Sequence, residues 1–158
     1  MPTHYKGPKN EVRALDAYIP LFRVVDTLAG RSAIRLEAAG VTPGQFAVLE
    51  ALLHLGPLCQ RELGHKLLRA GGNITLVVDN LEKQGWVRRE RGRDDRRFVT
   101  VHLTAEGKRL IERIFPEHAA AVSNEMRCLT VAEQEILRRL CRKLGRSNNK
   151  EEEKGRQT

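Results

Sequence analysis

The chain has 158 residues, 28 lysines and arginines against 20 acids, and a formal net charge of +8; that length suits one domain with a real core, and that charge favours a polyanionic partner. One tryptophan, two tyrosines and four phenylalanines do not make a base-stacking platform, so duplex DNA is a better polyanion than RNA or single strands. No apolar run approaches a membrane span, no leader-like segment opens the chain, and three scattered cysteines (Cys59, Cys128, Cys141) without a Cys-x-x-Cys pair point to reduced thiols in the cytoplasm rather than a disulfide framework.

Residues 1–9, with two prolines and a glycine, read as a flexible arm. Over 10–38, Val12, Leu15, Ile19, Phe22, Val25, Ala29 and Leu36 recur at helical spacing. Pro20 should bend this helix or divide it, and Gly40 ends it. Thr42-Pro43-Gly44-Gln45 is a helix start with a capping box and proline at the first position. Phe46, Leu49, Leu52 and Leu53 form the buried stripe that follows, and Gly56-Pro57 stops it.

A short helix over 60–68 comes next, with Cys59 and Glu62 at capping-box positions and Leu63, Leu67 and Leu68 facing inward. Arg69-Ala70-Gly71-Gly72 is a tight turn. A second helix over 73–84 carries Ile74, Val77, Val78 and Leu81 on one face, with Leu76, Asp79 and Lys83 opposite, and ends at Gly85. Trp86 and Val87 begin a strand, and 98–103 alternates as another. The loop between carries six arginines from Arg88 to Arg97.

Thr104 caps a helix containing Leu110, Ile111, Ile114 and Phe115, which Pro116 breaks or kinks before it resumes to about Cys128. Thr130 and Glu133 form a capping box for a last helix with Ile136, Leu137, Leu140, Cys141 and Leu144, closed by Gly145. Residues 146–158 have almost no apolar side chains and read as a disordered tail.

Helix, turn, helix, strand, basic loop, strand is the order that lays one helix in a major groove and a basic hairpin beside it. The fold class is therefore mainly α (α+β). A winged helix-turn-helix DNA-binding domain at 41–107 is flanked by helices at 10–40 and 108–145, whose apolar stripes the central core cannot cover. A second copy of the chain is the natural cover, which makes these segments a dimerisation region. On the second helix of the motif, Asn73, Thr75 and Asn80 can bond phosphates or base edges, and Leu76 can touch a thymine methyl. In the wing, Arg91, Arg93, Arg96 and Arg97 suit a narrow minor groove, with Asp94 or Asp95 orienting the Arg96 guanidinium.

The string Gly-Asn-Ile-Thr-Leu-Val-Val-Asp-Asn-Leu-Glu-Lys-Gln-Gly-Trp-Val at 72–87 resembles the recognition helix of the MarR family of bacterial transcription regulators. So does Asp95-Arg96-Arg97 followed by Leu103-Thr104-Ala105-Glu106-Gly107. The likeness extends upstream to Gln45-Phe46-Ala47-Val48-Leu49 and downstream to Leu129-Thr130-Val131-Ala132-Glu133-Gln134. It implies a homodimer joined by its first and last helices, binding a palindromic operator in double-stranded DNA, usually as a repressor. It also implies a small-molecule effector, held between the dimerisation helices and the DNA-binding lobe. Carried over, Asn73, Thr75 and Leu76 become groove contacts and Arg96 the wing arginine. Leu76 replaces the arginine often found there, and no cysteine precedes Leu58, unlike the family's peroxide sensors.

Tyr18, Phe22, Arg23 and His54 are the candidate effector pocket: apolar walls and a cation that suits an acid, an aromatic acid being the class considered. The histidines (His4, His54, His65, His102, His118) and cysteines have no local metal-ligand spacing, so neither metal nor cofactor is expected. No phosphate loop, nucleophile elbow or His-Glu-x-x-His points to an enzyme. The rival readings are a winged-helix protein-interaction module without an operator and a small enzyme with a site assembled across the fold.

Overall fold

The computed structural model describes residues 4–67, 73–91 and 98–155, with side chains described as far as 146. The chain divides into two compact units between His118 and Ala119.

In the first unit, α1 (Lys9–Ala38) is one helix with Pro20 inside it. A proline removes a single intrahelical hydrogen bond, and the turns on either side keep theirs. Leu36 is the residue of α1 that is buried. Just after it, Gly40 takes φ +81°, a left-handed turn open to glycine at little cost. It lets Val41 N–H donate to Leu36 carbonyl at 3.0 Å and delivers Val41 into the core. The α2 helix (Pro43–Leu55) has the expected capping box: Thr42 Oγ1 accepts from Gln45 N–H, and Gln45 Oε1 accepts from Thr42 N–H. Phe46, Val48, Leu49 and Leu52 fill the core beneath it.

A two-residue strand, β1 (Leu58–Cys59), precedes α3 (Gln60–Leu67) and was not expected from the sequence. The α4 helix (Ile74–Lys83) is shorter at each end than the 73–84 reading because Asn73 is its N-cap and Gln84 its C-cap. Its stripe is as expected, with Val78 and Leu81 fully buried and Ile74 and Val77 packed against the core. β2 (Val87–Arg91) and β3 (Val99–Leu103) complete an antiparallel sheet of order β1-β3-β2. Leu58 and Arg89 both lie opposite Val101, the sheet's fully buried centre. Arg69–Gly72 and the wing residues 92–97 lie outside the described residues, as does Leu68.

α5 (Ala105–Met126) is also one helix through its proline, Pro116. Thr104 anchors its start. The hydroxyl donates to Gly85 carbonyl at 2.7 Å and accepts from Gly107 N–H at 3.0 Å, while Thr104 N–H donates to Trp86 carbonyl at 3.1 Å. Gly107 sits so close to Trp86 that a Cβ there would fall 1.9 Å from its carbonyl oxygen. The Leu-Thr-x-x-Gly signature is thus a joint between helix and sheet.

The second unit holds the end of α5 and α6 (Val131–Gly155). Thr130 N–H and hydroxyl both donate to Glu133 Oε2 at 2.8 Å, and Glu133 N–H donates back to Thr130 Oγ1. The Thr130 N–H first, then its hydroxyl, hold the Glu133 carboxyl below its ordinary value. Ile136, Leu137, Leu140 and Leu144 are exposed along this helix. The sequence reading closes the last helix at Gly145, whereas α6 passes it and continues to Gly155, with 156–158 outside the described residues. A glycine inside a helix costs only about 1 kcal/mol. The segment after it contains no proline, and extending an existing helix avoids the cost of nucleation.

Candidate nucleic-acid interface

The centre of the candidate surface is the outer face of α4. Burial of Val78 and Leu81 turns the opposite side of the helix outward. Asn73, Thr75, Leu76 and Asn80 are all exposed there. Leu76, at 56 % exposure, is a large apolar side chain presented to solvent beside polar ones. Asn73 Oδ1 accepts from Leu76 N–H at 3.3 Å, so its oxygen caps the helix while its amide N–H groups remain as donors. The start of α4 thereby combines amide donors with the positive end of the helix dipole, a favourable place for phosphate.

Beside α4 runs β2, whose three arginines have different fates. Arg88 pairs outward with Glu90 at 2.9 Å, and Glu90 also lies 3.5 Å from His102 Nε2. Arg91 is exposed and has no ion-pair partner among the described residues. Arg89 points inward and is half-buried. Its guanidinium touches Asp79 and lies 3.0 Å from Glu82 Oε2, both on α4. Its Nε donates to Gln60 Oε1 at 3.0 Å and its Nη2 to Thr75 carbonyl at 3.3 Å. Its own backbone N–H donates to Glu82 Oε1 at 2.9 Å. One guanidinium therefore ties α3, α4 and β2 together, with its charge taken up by two carboxylates.

Arg89 was not singled out from the sequence. Strand alternation carries the signal: Val87, Arg89 and Arg91 share a face, and Val87 is buried. Of the other wing residues singled out, Arg93, Asp94, Asp95, Arg96 and Arg97 lie outside the described residues.

The four effector candidates are not gathered in one place. Tyr18 and Phe22 stack on each other, ring centroids 5.9 Å apart, on an exposed face of α1, and Arg23 is exposed beside them. His54 instead stands edge-on to Phe115 at 4.8 Å. A separate cavity of about 210 Å³ is lined by residues from the end of α1 and the middle of α5, among them Arg35, Leu36, Ala39, Ile114, Glu117 and His118. The His118 ring packs on Phe46 at 4.5 Å, and its Nδ1 is buried with no hydrogen-bond partner among the described residues. A second cavity, of about 240 Å³, lies against Cys59, Gln60, Arg61, Ile74 and Val99. Cys59 is half-buried, and Cys128 and Cys141 are exposed. Among the described residues no group of three His, Cys, Asp or Glu side chains could hold a metal, and no helix is long and apolar enough to cross a membrane.

Comparison with known proteins agrees with this geometry. The MarR family model matches residues 41–99. The uncharacterised HTH-type transcriptional regulator YkoM of Bacillus subtilis (strain 168) is 35 % identical over 133 residues, covering 84 % of this chain and 86 % of that one. The HTH-type transcriptional regulator MhqR of the same organism is 32 % identical, over 84 % of this chain and 92 % of its own. Among solved structures, that of NadR in complex with 4-hydroxyphenylacetate superimposes with a TM-score of 0.68 at 27 % identity, covering 91 % of this chain and 97 % of that one.

Proposed function

The chain belongs to the MarR family of transcription regulators, and on that premise we propose that it acts as a homodimeric repressor, binding a palindromic duplex operator and released by a small-molecule effector. The observation that carries the reading is the outer face of α4. Asn73, Thr75, Leu76 and Asn80 project from a helix whose inner face is locked into the core. These four side chains read or position the major groove, and Arg91, Arg93, Arg96 and Arg97 follow the minor groove or backbone, oriented by Asp94 or Asp95.

The dimer follows from two apolar faces. Tyr18, Phe22 and Val25 on α1, and Ile136, Leu140 and Leu144 on α6, are exposed in the single chain, which a second copy would cover. In that dimer the two α4 helices meet half-sites about 34–36 Å apart, one turn of the duplex. The effector acts by changing that spacing, so DNA affinity falls without unfolding. An aromatic acid is the class proposed, because the related NadR is held with 4-hydroxyphenylacetate. The candidate sites are the Tyr18, Phe22 and Arg23 cluster on α1, His54 beside Phe115, and the cavity beside Arg35 and His118. Each brings a cation or imidazole to apolar walls. The dimer would work in the cytoplasm, where its three thiols stay reduced.

The test is selection of random duplex DNA by the purified protein near physiological salt, followed by sequencing. An enriched inverted repeat is the expected result. Binding that stays blind to sequence and disappears with salt would favour the protein-interaction module instead.

A further inference from the structure

The geometry points to Gln60 and Arg89 as positioning residues that fix the Thr75 hydroxyl as an outward hydrogen-bond donor, so that Thr75 recognises an acceptor atom of the duplex. This rests on the DNA-binding reading above.

The argument is one of donors and acceptors. A guanidinium has donors only. Arg89 Nε lies 3.0 Å from one end of the Gln60 amide, so that end is the carbonyl oxygen. The other end is then the NH2 group, and it donates to Thr75 Oγ1 at 3.1 Å. Arg89 cannot easily turn away, because Asp79 and Glu82 hold its Nη1 and the Thr75 carbonyl holds its Nη2. Flipping the amide would set N–H against N–H. A hydroxyl has one proton and two lone pairs. With one lone pair taken by Gln60, the Thr75 proton points away from Gln60. Thr75 is exposed, and none of the described residues accepts that proton. A polarised chain therefore runs from Arg89 through Gln60 to the outer face of α4. Its proton suits acceptors such as purine N7, guanine O6 and thymine O4, while the second lone pair of the hydroxyl stays open.

The test is a double-mutant cycle on the duplex recovered by selection with the wild-type protein. Gln60→Glu replaces the NH2 with an oxygen of nearly the same size. That oxygen only accepts, so the Thr75 hydroxyl must turn inward and donate to it. Thr75→Val removes the hydroxyl and keeps the shape. Gln60→Glu is expected to weaken binding to the selected duplex by about ten-fold or more relative to random duplex. In the Thr75→Val background it should have no such selective effect. The added negative charge acts on both duplexes in both backgrounds and cancels from the ratio. Selective losses that simply add in the double mutant would overturn the proposal.

Gln60→Ala, which releases the hydroxyl without reversing it, should cost less selectivity than Gln60→Glu; a larger cost would also overturn it. Thermal midpoints of all variants establish that each is folded. Renewed selection with Thr75→Val should relax preference at one base pair, the mark of a base-edge acceptor; a uniform loss across sequences would mark a phosphate contact and overturn the selective role. A wild-type protein that selects no sequence defeats the DNA-binding reading, and this inference with it.

Discussion

Gly107→Ala should destabilise the protein strongly, although alanine is the better helix former. The added Cβ would lie 1.9 Å from Trp86 carbonyl oxygen and 2.7 Å from its carbonyl carbon. A close carbon-to-oxygen contact needs about 3.3 Å, so the start of α5 must move off the sheet by about 1.4 Å. Backbone stands on both sides of the clash, so no rotamer relieves it. The movement stretches Thr104 N–H to Trp86 carbonyl from 3.1 Å and Thr104 hydroxyl to Gly85 carbonyl from 2.7 Å. Each lost bond is worth about 1 kcal/mol, and the overpacking itself costs about 1–3 kcal/mol. The helix-propensity gain returns about 1 kcal/mol. The net loss should be about 2–4 kcal/mol, read from urea unfolding at fixed protein concentration, with a fall in Tm of about 5–15 °C. Gly145→Ala is the control: its Cβ would meet nothing within 4 Å inside α6, so that variant should be neutral or slightly stabilised. A Gly107→Ala loss below about 1 kcal/mol, or one matched by Gly145→Ala, would refute the joint described between α5 and the sheet.

Leu76→Ala should change stability by no more than about 0.5 kcal/mol, since the side chain is exposed, yet weaken operator binding by about 1–3 kcal/mol and relax preference at one base pair; equal binding by selection and titration would remove Leu76 from the interface. Arg91→Ala should lower the slope of log affinity against log salt by about 1 on selected and random duplexes alike, and an unaltered slope would show that it meets no phosphate. Truncation after Arg127 removes α6 and should leave monomers in sedimentation experiments; a stable dimer would move the interface elsewhere. The Glu133 carboxyl is held below its ordinary value of 4.5 by Thr130. Its share of stability is therefore present above that value and lost as the pH falls through the lower folded one. Glu133→Gln should flatten the acid limb of the unfolding midpoint against pH, and an unchanged limb would detach the cap from acid stability.

Local features were legible because they are decided by neighbours in the chain. Thr42 with Gln45 and Thr130 with Glu133 close their capping boxes within one helical turn. The stripe Ile74, Val77, Val78 and Leu81 settles which way α4 faces. Features made by distant partners were not. β1 is two residues long and exists through its pairing with Val101 and Thr100, some forty residues further along the chain. Arg89 looks like any arginine of a basic wing until the strand register sets it opposite buried Val101, beside Asp79, Glu82 and Gln60. The cavity beside His118 draws its walls from two helices far apart in the chain, so no spacing in the sequence announces it.

Helix interruptions show the same division between local cost and longer-range support. Pro20, Pro116 and Gly145 each weaken a helix locally, and each lies inside an unbroken one, because about 3 kcal/mol for a proline or about 1 kcal/mol for a glycine is still less than the roughly 4 kcal/mol of nucleating a new helix. The apolar stripe of α1 makes a further distinction that periodicity cannot. Leu36 and Phe22 belong to one stripe, yet Leu36 is 4 % exposed and Phe22 is 60 %. Period says that a face is apolar; it does not say whether the chain's own core or another molecule covers it. Leu36 lies where Gly40 turns the chain back over α2, within reach of the core, whereas Phe22 lies several turns earlier along the same helix. The exposed part of the stripe is therefore the part proposed to meet a second copy, and sedimentation of the Arg127 truncation asks whether α6 belongs to that interface.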